Sequence, residues 1–302
     1  MQNTFGRPRE ISLAALSMTQ ITTVIPVFNR AHVVGCAIES ALAQELPPAC
    51  SLKIVVVDDG SSDDLSGVLH RYRPEVSCIR HGHNAGASAA RNTGIAAAED
   101  GFVAFLDSDD IWLAGKLKVQ VETMRRNGWL ASCTAFYLSR PGRPEIVAPS
   151  YRTGTLGLAD LVWGCFVGPG STLICARSVL DEVGALDTSL RRLEDWDWLL
   201  RYVQKHELGF IAEPLARTDP SDQKKGADVV AALKVLRAKH AECLTGEKRR
   251  HFLAAIDLEL AATYYRGGNK LGMIAPFLRS ILRSPTRNDA LAAVLHNRSA
   301  RG

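Results

Sequence analysis

The chain has 302 residues, 46% of them hydrophobic, enough for one large domain or a domain with an appendage, and too apolar for a disordered chain. A formal net charge of +4 is too mild to point to nucleic acid. The charge is uneven: from Asp222 onward there are roughly 15 Lys and Arg against 7 Asp and Glu, so an acidic body precedes a basic C-terminal region. The seven cysteines are odd in number and form no CxxC pair, which argues against a zinc site or a disulfide framework and fits a cytoplasmic protein. No apolar run approaches the ~20 residues of a membrane-spanning helix. The short run Ile11 to Leu16 after Arg7 and Arg9 lacks the length and the cleavage site of a secretory signal. Residues 1–19 read as an N-terminal extension, and Met18 is an alternative start, because the ordered pattern begins directly after it.

From there strands and helices alternate. Ile21 to Ile25 is β-branched and predicts a buried strand that Pro26 ends. Val34, Ile38 and Leu42 give a helical face within Val33 to Ala43. Leu52 to Val57 predicts the second strand, and Asp58 to Ser62 is turn chemistry. Val76 to Ile79 follows as a strand, Ala85 to Glu99 as a helix, and Phe102 to Leu106 as a strand. A helix over Ala114 to Asn127 and a strand over Leu130 to Leu138 come next, then a loop from Arg140 to Thr155. Leu180 to Val203 is helical in parts, interrupted near Asp187 to Arg192. Beyond Pro220 the pattern is helical only: Val229 to Leu244, Lys248 to Tyr265 and Gly272 to Leu282. The order predicts an α/β fold with a mostly parallel sheet and helices on both faces, plus a C-terminal helical extension. Such sheets bind ligands beyond the carboxyl ends of their strands. The polar clusters fall there: Asn29 and Arg30, Asp58 and Asp59, and Asp107 to Asp110.

In Leu106-Asp-Ser-Asp-Asp110, residues two apart on an extended chain point the same way, so Asp107 and Asp109 face one ligand and Ser108 the other side. Hard carboxylate oxygens suit Mg²⁺ or Mn²⁺ bridging a diphosphate. Taken alone, the same run reads as a solvated acidic turn that caps a helix.

Four segments occur in order: Thr23-Val-Ile-Pro-Val-Phe-Asn29, Val55-Val-Val-Asp-Asp-Gly-Ser-Ser62, Asn84-Ala-Gly-Ala-Ser-Ala-Ala-Arg-Asn-Thr-Gly94 and Phe105-Leu-Asp-Ser-Asp-Asp110. Together they resemble the family 2 glycosyltransferases of the GT-A fold, over roughly residues 20 to 220. The resemblance implies donor-site roles: the backbone at Pro26 and Val27 along the nucleotide, Asp59 on the base, Arg91 near base and diphosphate, Asp107 on ribose or metal, Ser108 within the same cluster, and Asp109 on the metal. Asn84 and Gly86 then shape a loop. Leu193-Glu-Asp-Trp-Asp-Trp-Leu199 resembles the family's ED motif, which places the base that deprotonates the acceptor hydroxyl on Asp195, with Glu194 as runner-up and Asp197 behind it. Trp196 and Trp198 read as a sugar platform or as core. Gly168-Pro-Gly-Ser-Thr172, followed by the strand residues Leu173 to Cys175, resembles the family's acceptor-side loop. Trp112 reads as a substrate contact or a packing residue. His81 and His83 read as loop residues, because no third metal ligand is suitably spaced.

The C-terminal segment sets Ile274, Phe277, Leu278, Ile281 and Leu282 against Arg279, Arg283 and Arg287. It reads as a helix packed on the body with a solvated basic face, or as a basic amphipathic element lying on an anionic membrane. The expectation is therefore a glycosyltransferase domain at 20–220 and a helical extension at 221–302. The reaction implied is inverting transfer from a nucleotide-sugar, a UDP-sugar first, to a glycan or lipid-linked acceptor in bacterial surface polysaccharide or glycolipid assembly, with Mg²⁺ or Mn²⁺. The expected location is cytoplasmic, peripheral to the plasma membrane. Without membrane spans a processive, channel-forming synthase is disfavoured. The competing readings are a non-catalytic nucleotide-binding scaffold and a nucleotidyltransferase; the latter needs a Gly-rich basic loop that Pro26 to Arg30 does not provide.

Overall fold

The computed structural model describes residues 18–139, 142, 144–218 and 226–284. Most of the N-terminal extension, the boundary expected at 220 and Arg287 lie outside the described residues. The first half is β1 (Thr19–Val27), α1 (Val34–Leu42), β2 (Cys50–Asp58), α2 (Leu65–His70), β3 (Val76–Arg80), α3 (Ala87–Ala96) and β4 (Gly101–Phe105). Its strands are parallel, in the order β3-β2-β1-β4. The chain steps outward through β2 and β3 and returns beside β1, so the direction reverses between β1 and β4. That reversal opens a crevice at their carboxyl ends.

Pro26 does not end β1: it sits within it, in register with Val57 of β2. On its other side β4 has already stopped, since Phe105 pairs with Val24. The missing N–H therefore interrupts no ladder. Alternation along β1 divides the core, with Ile21, Ile25 and Val27 packing on one face with Ile38, Ile54 and Leu117, and Val24 on the other with Val103 and Phe105.

The second half holds β5 (Ile111–Trp112), α4 (Lys116–Asn127), β6 (Ala131–Leu138), β7 (Ile146–Ala148), β8 (Gly154–Leu156), α5 (Leu158–Leu161), α6 (Pro169–Thr172), β9 (Ile174–Ala176), α7 (Arg177–Val183), α8 (Glu194–Tyr202) and β10 (Leu208–Thr218). Here the sheet is mixed. β9 lies antiparallel between β4 and β6, β10 is parallel to β6, and β5, β7 and β8 are short antiparallel additions. The expected parallel sheet is thus the first half of a ten-stranded mixed one. The predicted loop from Arg140 to Thr155 contains β7, whose Ile146 and Val147 favour extended backbone, and the start of β8. No strand is expected from the sequence over β10; Pro214 sits inside it, and its register with β6 shifts on both sides of that residue.

Three helices follow: α9 (Gly226–His240), α10 (Gly246–Arg266) and α11 (Ile274–Arg283). Leu233, Leu236, Phe252 and Ile256 join the same core cluster as Trp196 and Trp198, so α9 and α10 pack into the body. No helix among the described residues is long and apolar enough to cross a membrane.

Candidate active site

The parallel register brings the loops after β1, β2, β3 and β4 out side by side, and hydrogen bonds between loops fix them. Asn29, held at φ 54, accepts from Ser62 N–H at 2.8 Å, and its own N–H donates to Ser61 Oγ at 3.0 Å. Asp63 accepts from Ala31 N–H at 2.8 Å. Asp58 accepts from Ser61 N–H at 2.8 Å and pairs with Arg80, which is the turn role open to it from sequence. Asp59, only 3% exposed, accepts from His81 Nδ1 at 2.7 Å, Ala85 N–H at 2.9 Å and Gly86 N–H at 2.8 Å. Its carboxylate thus holds the Asn84 loop, with three of about four lone-pair positions in use. His81 spends its second ring nitrogen on Thr93 Oγ1. Gly60, at φ +77, lets the β2 loop touch this loop: a Cβ there would lie 2.7 Å from the His83 backbone. At the end of β1 the Val27 carbonyl accepts from Asp59 N–H, and Pro26 is partly exposed. Phe28, quoted in the first segment but given no role there, is 43% exposed beside these loops.

Across the crevice, the acidic cluster after β4 is laced with arginine. Arg30 from the β1 loop pairs with Asp109 at 3.1 Å. Arg91 on α3 is buried and donates from Nη2 to Asp107 Oδ1 at 2.6 Å and from Nη1 to Glu194 Oε1 at 2.7 Å. Burial opposes its charge, but Asp107 and Glu194 outweigh it and raise its pKa. Its third guanidinium nitrogen, Nε, is buried without a hydrogen-bond partner. Arg91 therefore spans from the β4 loop to α8. Asp107 and Asp109 are each partly open to solvent, whereas Ser108 and Asp110 are buried. The short turn α6 is pinned beneath them: Ser171 Oγ accepts from Asp107 N–H at 3.0 Å and donates to Asp110 Oδ2 at 2.5 Å. Trp112 donates its indole N–H to the Ser171 carbonyl, and Gln120 donates to that of Thr172. Lys116, fully buried, donates to Gln120 and lies 4.4 Å from the centre of the Trp112 ring. Burial lowers its pKa to about 7. Trp112 is thus a packing residue; Ser171 falls in the loop singled out from the sequence, whereas Lys116 and Gln120 are parts of the site's support that the sequence did not mark. Gly170 passes so close to Asp107 that a side chain there would strike its carboxylate.

The donor set fits a divalent cation of the Mg²⁺ or Mn²⁺ kind. Asp107 and Asp109 stand two residues apart after β4 and are both partly exposed, and Asp107 keeps Oδ2 clear of its ion pair with Arg91. Such ions take one or two carboxylates and fill the remaining positions with phosphate and water. A cage made by protein alone is not available: no group of three or more His, Cys, Asp or Glu among the described residues could hold a metal.

At the start of α8, Glu194, Asp195 and Asp197 occupy the first turn, where the helix dipole favours anions. Their environments separate them. Glu194 is 8% exposed and bound by Arg91. Asp197 is fully buried and accepts from His240 at 2.8 Å and Arg201 at 3.0 Å, with Lys239 also paired to it. Burial opposes its ionisation, but His240, Lys239 and Arg201 hold its carboxyl down at about 2. Among the described residues Asp195 makes no ion pair, and it is partly exposed. It accepts from Trp196 N–H at 2.7 Å, while the Cys165 thiol donates to it at 3.6 Å. Burial and the neighbouring Glu194 push its carboxyl up to about 6, against the pull of Arg91. With Arg91 and Gly170 it borders a small apolar cavity closed by Phe105, Leu180 and Trp198. Trp196 and Trp198 are each 2% exposed and donate to the carbonyls of Leu161 and Gly184, so both are core and neither is a sugar platform.

The sequence model for glycosyl transferase family 2 matches residues 22–184, more than half of the chain. An uncharacterized glycosyltransferase of Rickettsia felis is 38% identical over 203 residues, which cover 66% of this chain and 33% of that protein. The chain thus spans about a third of that relative's length. An Escherichia coli UDP-Glc:alpha-D-GlcNAc-diphosphoundecaprenol beta-1,3-glucosyltransferase, WfaP, is 28% identical over 61% of this chain and 69% of its own. Among solved structures, TarS of S. aureus superposes with a TM-score of 0.63 at 18% identity, over 90% of this chain and 50% of that one. A shorter form of TarS, in complex with UDP, gives 0.59 at 16% identity over 91% and 92%. At those identities the likeness shows the GT-A fold. With the family's sequence match running from β1 through α7, the chain belongs to glycosyl transferase family 2 and has the GT-A fold.

Proposed function

We propose that the chain is an inverting transferase that moves a sugar from a UDP-sugar to an acceptor hydroxyl, with Asp195 as the base. The observation that carries this reading is the separation of three neighbouring acids. Asp197 is locked by cations and Glu194 by Arg91, both buried, while Asp195 alone is partly exposed and makes no ion pair among the described residues, with its carboxyl raised to about 6. A base of that strength is ionised at neutral pH and still accepts a proton readily. Asp195 takes the proton of the acceptor hydroxyl as that oxygen bonds to the anomeric carbon. The bond from that carbon to the diphosphate breaks on the opposite face, and the nucleoside diphosphate leaves with the electron pair.

Asp109 and Asp107 would hold Mg²⁺ or Mn²⁺, and the ion would supply charge stabilisation to the leaving diphosphate. Arg30 and Arg91 balance the two carboxylates from either side. Phe28 offers its open ring to the nucleotide base, and the backbone at Pro26 and Val27 follows the nucleotide. UDP is favoured because WfaP is named for UDP-Glc and the TarS structures hold UDP and UDP-GlcNAc. A lipid-linked acceptor is favoured because the same relative is named for a diphosphoundecaprenol substrate. We place the work at the cytoplasmic face of a membrane. We assign residues 20–220 to the transferase domain and 221–302 to a helical extension.

Calorimetry with UDP, GDP, CDP and dTDP, with and without Mn²⁺, tests the donor site. We expect Mn²⁺-dependent binding of UDP that Asp109→Ala weakens by about tenfold or more, at an unchanged melting temperature. A folded protein that binds none of the four would retire the donor assignment and leave the scaffold reading in its place.

A further inference from the structure

Helix α11 packs the wrong way round for its composition. Ordinarily an amphipathic helix buries its apolar stripe and turns its charges outward. Here Pro276, Ser280 and Ser284 face the body, and Ser280 Oγ donates to the Ala254 carbonyl of α10 at 2.8 Å. Arg279 turns toward Asp257 of α10, which is 1% exposed, and donates to its Oδ1 from two nitrogens at 3.1 Å. Arg283 pairs with the same carboxylate. These contacts lock the rotation of the helix, since a buried carboxylate that lost its cations would be strongly unfavourable. The opposite face carries Ile274, Leu278 and Leu282 at four-residue spacing, 46%, 52% and 81% exposed, with Leu271 before them at 83%. The sequence left open a solvated basic face or an amphipathic element lying on a membrane; in the structure Arg279 and Arg283 turn toward Asp257 and the leucines point out.

We propose that this outer face of α11 docks on an anionic lipid surface. Three observations select that occupant. The stripe is aliphatic and lies along one helix, which suits burial at the headgroup boundary. The described chain around it is cationic: from Gly246 to Ser284 there are seven Lys and Arg against three Asp and Glu. Lys270 beside Leu271 is exposed. Positive charge flanking an apolar stripe complements anionic headgroups. Finally, four aliphatic side chains expose on the order of a few hundred Å², short of the ~800 Å² that each partner brings to a stable protein interface. A second copy of the chain is therefore the weaker occupant. The inference fits a lipid-linked acceptor and does not depend on it, because vesicle binding is read without turnover.

The test is co-sedimentation of the full chain with phosphatidylcholine vesicles, with and without phosphatidylglycerol, at low and high salt. We expect binding at least about tenfold tighter to the anionic vesicles and loss of that preference in high salt. Leu278→Glu with Leu282→Glu should weaken binding by about tenfold or more while UDP binding and the melting temperature stay unchanged. Absence of binding at low salt overturns the proposal. So does equal binding by the double variant, or a dimer that the double variant disrupts in a protein that ignores vesicles.

Discussion

The two walls of the crevice are built differently. On the wall proposed for the donor, the β1, β2 and β3 loops are tied to one another over sequence separations of 26 to 33 residues, by Asn29 to Ser62 and by Asp59 to Ala85 and Gly86. The parallel register alone sets these loops side by side. On the wall proposed for the acceptor the ties are longer: Ser171 to Asp110 spans 61 residues and Arg91 to Glu194 spans 103. Asp197 reaches on to α9 through His240, 43 residues away. The donor wall is a local consequence of strand order. The acceptor wall exists only after distant elements have packed, and buried charge pairs hold it there. Damage on the donor side should therefore show in nucleotide binding, and damage on the acceptor side in turnover or in stability.

The sharpest test of that division is Asp195→Asn. Removing a general base lowers turnover by about 10²- to 10⁴-fold, whereas UDP binding on the other wall should hold. In the unaltered enzyme kcat/KM should rise with pH to about 6 and level off above it, because only the ionised carboxylate accepts the proton. Stability runs the other way. A carboxyl raised in the folded state contributes fully below its unfolded value and loses that contribution as pH rises through about 6. The Asn variant should thus melt no lower than the parent above pH 6, a trade of stability for activity that thermal denaturation across pH will read. A variant that loses UDP binding together with turnover would contradict the two-wall description.

Arg91 joins the walls, so its loss should damage both. Arg91→Ala leaves Glu194 buried without its cation, a change of about 3–5 kcal/mol in stability. Denaturant unfolding should show it, together with weaker nucleotide binding through Asp107. Wild-type-like stability would mean that Glu194 finds another partner or takes up a proton.

A smaller effect is expected farthest from the chemistry. Asp197→Asn weakens the ties to His240, Lys239 and Arg201 and should destabilise by roughly 2 kcal/mol, with turnover per folded molecule unchanged. Because the folded carboxyl lies at about 2, its contribution is present above the unfolded value and is lost as pH falls through about 2. The difference between parent and variant should therefore shrink between pH 4 and 2 in acid unfolding. A kcat loss on the scale of Asp195→Asn would move the base to Asp197 and undo the separation of the three acids.

The sequence by itself determined the alternating first half, the order of its polar loops and the family. Each of those signals sits in a continuous stretch: a β-branched run, a turn of Asp and Ser, or an acidic cluster directly after a strand. It also marked Glu194, Asp195 and Asp197 as a group, and the family resemblance ranked Asp195 first among them; the physical reason for that ranking was not legible, because three acids within four residues look alike until distant cations reach two of them. Only tertiary packing decided that Trp196 and Trp198 are core, that Asp59 holds a loop, and that Ser171 seats the Asp107 backbone. Packing likewise put Pro26 inside a strand, because the neighbouring strand stops short of it, and admitted Pro214 to another, because the register shifts around it. The outward leucines of α11 belong to the same class. Periodicity reveals that a helix has two faces, but a buried carboxylate on α10, far back in the chain, chose which of them meets the solvent.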